Sequence, residues 1–164
     1  MNGIPTFAAG LFLIAALPIS IFVAYSDMSR MKIPNVAVAA LVISFAVLGL
    51  IALPFDQYVW HWTHLIVVLI LGIFGNALGA FGAGDAKFAA AAAPMIGIAD
   101  LGNVLFLLAI CTVTGYVTHR IAKRSPIRNL VPNWESWTSG NRFPMGFPLA
   151  MTLVFYLILV LRPL

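Results

Sequence analysis

The chain has 164 residues; 62% are hydrophobic, only 9% are Asp, Glu, Lys or Arg, and the mean hydropathy is +1.03. A soluble domain is about half apolar and about a quarter charged, so nine basic and five acidic residues exclude an ordinary water-soluble enzyme and a disordered chain. The net charge of +4 is scattered among apolar runs and forms no patch, which excludes a nucleic-acid-binding domain.

A helix needs about 20 mostly apolar residues to cross the hydrocarbon core of a membrane. In chain order, the predicted spans cover residues 5–25, 36–53, 64–81, 86–99, 101–117 and 145–161, with a basic loop over 119–143. The first run is read as a retained helix, because no Lys or Arg precedes it and it exceeds the usual apolar core of a signal peptide. The fourth is short and Ala-rich, and Pro94 bends or ends a helix there. Arg30 and Lys32 fall in the first loop, Lys87 in the third, and Arg120, Lys123, Arg124, Arg128 and Arg142 in the fifth. The second and fourth loops hold no base and carry Asp56 and Asp100. Eight of nine bases thus lie in odd loops, which the positive-inside rule places in the cytoplasm with both termini outside. The expected fold is all-α: a polytopic membrane protein of six transmembrane helices in one membrane-embedded domain. Arg162 takes no part in this pattern.

A lone cysteine, Cys111, inside the fifth span can form no intrachain disulfide and no Cys-based zinc site. His61 and His64 sit beside Trp60 at the outer interface, where no third metal ligand is evident except the distant Asp56. His119 opens the basic loop, whose cations and whose Trp134 and Trp137 suit an interfacial segment lying on anionic lipid.

An acid at a membrane boundary in so apolar a chain is a functional candidate. Asp56, Asp100 and Glu135 are read as solvated loop charges. Asp27 and Asp85 are different: each ends or begins a span, and the out-and-back pair of helices between them returns the chain to the same face. Two carboxyls brought together there can share a proton, one activating water and the other polarising a peptide carbonyl, with no metal and no covalent intermediate. The plainer alternative is that Asp27 pairs with Arg30 and Asp85 with Lys87, or that each caps a helix. Gly82 and Gly84 directly precede Asp85, and an extended Gly-Ala-Gly stretch can offer its backbone to an extended substrate. Gly72, Gly75, Gly79 and Gly82 recur at helical spacing, with Gly75 and Gly79 as a close-packing pair.

These residues also carry a resemblance. Asp27 followed by Arg30, Lys32, Ile33, Pro34 and Asn35, the run Gly82-Ala83-Gly84-Asp85-Ala86-Lys87, a basic loop, and Pro144-Met145-Gly146-Phe147-Pro148 occur in that order. The chain resembles a type IV prepilin peptidase, of the short kind similar to the CpaA/TadV group of Flp-pilus and tight-adherence systems. The resemblance implies a GxGD aspartic intramembrane endopeptidase of the bacterial inner membrane, with Asp27 and Asp85 as the catalytic pair. It implies prepilin or pseudopilin precursors as substrates, each with a short, often basic leader, a Gly before the cut and then an apolar helix. Larger relatives also methylate the product through a cytoplasmic domain with paired CxxC motifs; that domain is not expected in this chain, so peptidase activity alone is.

At the helix ends, Asp85 meets the positive end of the fourth helix dipole and Asp27 the negative end of the first. That predicts Asp85 as the base and Asp27 as the holder of the shared proton. Lys87 is read as an anchor or as a brace for the glycine loop, Asn35 as a hydrogen-bonding group near the site, and Pro144 and Gly146 as shaping the last helix entry. An ion-coupled transporter using the two acids, or a non-catalytic scaffold of a pilus or secretion system, are the alternatives to an enzyme.

Overall fold

The computed structural model describes residues 3–140 and 142–162, and among these every regular element is helical. The α-helices are α1 (Thr6–Arg30), α2 (Asn35–Ala52), α3 (Phe55–Ala77), α4 (Ala83–Ala92), α5 (Leu101–Arg124) and α6 (Gly146–Leu161). Four segments are long and apolar enough to cross a membrane: α1, α2, α3 and the run Ile98–Arg124; α6 is apolar but shorter.

The helices do not end where their apolar runs end. The expected first span stopped at residue 25, but α1 continues to Arg30 and carries Asp27 in its last turn. The expected fifth span stopped at 117, but α5 runs to Arg124, so His119, Arg120, Lys123 and Arg124 are helical and the connection to α6 begins at Ser125. Backbone hydrogen bonding continues as long as side chains can reach water, and long cationic side chains do so by extending along their stems. The expected third span, 64–81, is displaced: Pro54 breaks the chain after α2, and α3 starts at once at Phe55 with Asp56 in its favourable first turn.

The fourth span, expected over 86–99, is ten α-helical residues and then a break. Pro94 lies in a short 3-10 turn, Ala93–Met95, and α4 does not continue past it. A helix end leaves carbonyls without donors, and these are costly away from water. Two are taken by α3: His61 Nδ1 lies 2.7 Å from the Pro94 carbonyl and His64 Nδ1 lies 3.1 Å from that of Ile96. A carbonyl only accepts, so both imidazoles carry a proton on Nδ1. His61→Phe should leave the Pro94 carbonyl buried without a donor, lowering stability by roughly 1–3 kcal/mol. Thermal unfolding in detergent would show a lower midpoint, and an unchanged midpoint would refute the assignment. Asp100, expected as a solvated charge, is also bound: the Tyr156 hydroxyl donates to it at 2.8 Å and accepts from Gly97 N–H at 3.1 Å. This ties the α4–α5 connection to α6.

α1 packs most extensively on α6 and then on α2, while α4 lies against α3, α2 and α6. The core is formed by Phe12, Ala16 and Val23 of α1, Leu41 and Phe45 of α2, Phe88, Ala91 and Met95 of the α4 region, and Ala150, Leu153 and Leu157 of α6. Alanines make α4 slim enough for this central place; a Cβ at Gly72 of α3 would lie 2.9 Å from that of Ala86. The expected close-packing pair is not formed. Gly75 faces the ring of Phe81, and Gly79 lies beyond the end of α3 with φ +74°, serving the turn; a Cβ there would meet nothing within 4 Å.

Candidate active site

The α1 C-terminus, the α2 and α4 N-termini and the strand of chain entering α6 meet at one end of the bundle around a cavity of about 810 Å3. Asp27 and Asp85 both line it, as do Asn35, Gly82, Gly84, Lys87 and Pro144. Gly146 lies behind Asp27.

Asp27 is buried, at 5% exposure, and its Oδ2 accepts the N–H of Gly146 at 2.6 Å. Gly146 is the first residue of α6. A Cβ there would lie 2.9 Å from Asp27 Oδ2 and 2.8 Å from Ile33 Cδ1, so only glycine lets the α6 N-terminus come this close. Asp85 is the third residue of α4, and its Oδ2 accepts the N–H of Gly82, the residue that precedes the helix, at 3.1 Å. Gly82 has no side chain to return a bond, so this is one arm of a capping box. Asp85 is half-buried. Burial raises its carboxyl above the usual carboxylate range, and the Gly82 N–H partly offsets this. The two carboxyls are near enough for the charge of Asp85 to act on Asp27.

The helix-end argument needs correction. Asp27 does sit at the negative end of α1, but it also faces the positive end of α6, 119 residues further along the chain. Both acids therefore meet a helix N-terminus, and exposure to water is what separates them. The simple pairings Asp27–Arg30 and Asp85–Lys87 are not formed among the described residues. Lys87 Nζ instead donates to Asn35 Oδ1 at 3.4 Å, bridging α4 to α2 at the cavity rim.

The extended Gly-Ala-Gly stretch is likewise not observed: Ala83, Gly84 and Asp85 form the first turn of α4, and only Gly82 is extended. The Asp85 carboxylate closes that turn by holding the Gly82 N–H, while the remaining first-turn N–H groups have no partner within the helix. Gly84 packs on Ile33. Nine further residues line the cavity, among them Met31, Lys32, Ile33, Arg142, Phe143 and Met145. Met31 ends α1 in the left-handed region at φ 53°. Ile33 and Met145 stood inside the motifs already quoted, whereas nothing local marks Phe143.

Phe143 belongs to an aromatic series that orders the connection from α5 to α6. Trp134 stacks on Trp137, Trp137 on His119, and Phe143 meets His119 edge-on. Tyr25 of α1 closes the other end against Trp134. Trp137 is 4% exposed, and its indole N–H donates to the Val131 carbonyl at 2.8 Å. Trp137, expected on the lipid surface, thus faces inward and secures the cavity wall, while Trp134 is half-buried between it and Tyr25.

A family model described as the type IV leader peptidase family matches residues 11–118 of the chain, a stretch that holds both acids, Asn35 and the Gly82–Lys87 run. No curated protein and no solved structure gives a match.

Proposed function

The chain belongs to the type IV leader peptidase family, and from that premise we propose that it is an aspartic endopeptidase that removes the leader of type IV or Flp-type prepilins at the cytoplasmic face of the bacterial inner membrane. The observation that carries the aspartic reading is the meeting of Asp27 and Asp85, from α1 and α4, in one open cavity, each held by a helix N-terminal N–H and neither neutralised by a base.

The reaction is hydrolysis by water. Asp85, the more exposed acid, takes a proton from water as the oxygen attacks the scissile carbonyl carbon. Asp27 holds the shared proton and donates it to the carbonyl oxygen, giving a neutral gem-diol. Proton transfer to the amide nitrogen then lets the C–N bond break, releasing the leader's carboxyl group and a new amine on the mature helix. No metal or cofactor enters. The pair titrates as one unit, so the assignment of roles concerns where the proton rests in the free enzyme.

In this reading α4 and its broken end complete the fourth of six crossings, both termini are outside, and the eight bases of the odd loops place the cavity in the cytoplasm. Exposed cations such as Arg124 and Arg128 meet anionic lipid there. The activity is peptidase without N-methylation.

Co-expression of the chain with a tagged Flp-type prepilin tests the reading. A shorter product band is expected, and an uncut precursor overturns it. The pH profile adds a second check. Asp85 must be ionised to act as base, and its carboxyl is raised by burial. The acid limb of kcat/KM, which belongs to the pair, should therefore lie above the ordinary aspartate value of about 3.9; a limb at or below that value contradicts a pair raised by burial.

A further inference from the structure

Beside the large cavity lies a second one of about 290 Å3, lined by Met31, Glu135, Thr138, Ser139 and Arg142. Met31 and Arg142 line both cavities, so the two adjoin at these side chains. The first holds the two aspartates. Of the five residues lining the second, four are polar or charged, Glu135 and Arg142 among them.

Glu135 opens a 3-10 turn, Glu135–Trp137, that the aromatic series anchors: Ser136 is fully buried and Trp137 stacks on His119. The Thr138 and Ser139 hydroxyls donate to the carbonyls of Glu135 and Ser136, both at 3.2 Å, which closes the turn. The Glu135 side chain itself is exposed and makes no hydrogen bond or ion pair with a described residue. An anchored turn thus presents an unengaged carboxylate to this second cavity.

The charge around it is unusual. Eight of the nine bases lie at this end of the bundle, while Asp56 and Asp100 lie at the other. Glu135 is the one acid at this end outside the candidate pair. A membrane helix whose N-terminal flank lies in the cytoplasm carries an excess of Lys and Arg in that flank. A peptidase cutting at that face must accept a cationic segment across its own basic surface, where like charges repel.

We propose that Glu135 is a specificity-determining residue that receives a Lys or Arg of the substrate's cytoplasmic flank, on the leader side of the cut, in the second cavity, which adjoins the catalytic one at Met31 and Arg142. This rests on the peptidase reading and assigns to the same site the charge that its substrates must carry.

The test is a charge exchange with the full chain in detergent micelles, using a tagged Flp-type prepilin whose leader Lys and Arg residues are changed singly to Glu. Glu135→Lys should raise KM for the unaltered precursor about five- to tenfold at low salt, with kcat within about twofold, as an exposed pair turned to repulsion would. One precursor variant should show the same loss with the unaltered enzyme, and its combination with Glu135→Lys should restore KM. Added salt should shrink the difference. Equal KM values for the unaltered enzyme and Glu135→Lys, or losses that add with no rescuing combination, overturn the proposal. Arg142→Gln separates the alternative that Glu135 only orders Arg142: it would then reproduce the Glu135→Lys loss, and no precursor charge would rescue it. If the unaltered precursor is not cut at all, the peptidase reading falls and takes this one with it. If it is cut without regard to either charge, this proposal falls alone.

Discussion

Asp27→Asn and Asp85→Asn should each reduce leader cleavage by roughly 10,000-fold or more, while the protein still inserts and unfolds at nearly its original temperature. Asparagine keeps the shape of aspartate and an oxygen that accepts a backbone N–H. The bonds from Gly146 to residue 27 and from Gly82 to residue 85 therefore survive in form. What is lost is the ability to take up and give back a proton. Because the two carboxyls act as a unit, the double variant should be about as inactive as either single one. Processing of a tagged prepilin, followed beside membrane abundance of each variant, checks this. If both single variants cut the precursor at the original rate, the acids are not catalytic, and an ion-coupled transporter or a scaffold becomes the better account.

Gly146→Ala is the second expected large effect. The added methyl would sit 2.9 Å from Asp27 Oδ2, 2.8 Å from Ile33 Cδ1 and 2.9 Å from Ile33 Cγ1, so turning the isoleucine tip alone does not relieve the clash. Either the carboxyl turns away or the α6 N-terminus retreats. A shift of about 1 Å at a reacting group costs on the order of a hundredfold in rate. The expected result is a kcat reduced about a hundredfold with the fold retained, since the substitution adds one carbon at the rim of the helix bundle. Gly102→Ala in α5 is the control: nothing lies near that position, and its activity should match the parent. Equal activity of Gly146→Ala and Gly102→Ala would show that the bond between Asp27 and the α6 N-terminus is dispensable.

Local features were readable in the chain and distant ones were not. Apolar runs located all six α-helices, and Pro94 marked where α4 stops. The ends were misplaced because helices run past their apolar runs: Asp27 and His119 are both helical. The start of α3 was hidden because His61 and His64 look like interface residues, and their partners, the Pro94 and Ile96 carbonyls, are more than thirty positions away. Asp100 looked solvated for the same reason, its partner being Tyr156. At the site, Asp85 and its glycines form a contiguous motif. Asp27 could be nominated from its position, but the N–H that holds it comes from α6, and no local pattern reports a contact across 119 residues. The inward packing of Trp137 was equally invisible, since a tryptophan near arginines fits a membrane surface and a stacked wall alike.

The link from Asp27 to Gly146 also bears on when the enzyme becomes active. Chains leave the ribosome N-terminus first. Both aspartates are therefore made and inserted well before the glycine that holds one of them and before the cavity wall formed by Phe143 to Met145. A chain that has emerged only as far as α5 carries both acids without the structure that arranges them. On the peptidase reading, the active centre is assembled only when α6 enters the bilayer. The nascent protein is then harmless to other newly made helices beside it until α6 is in place.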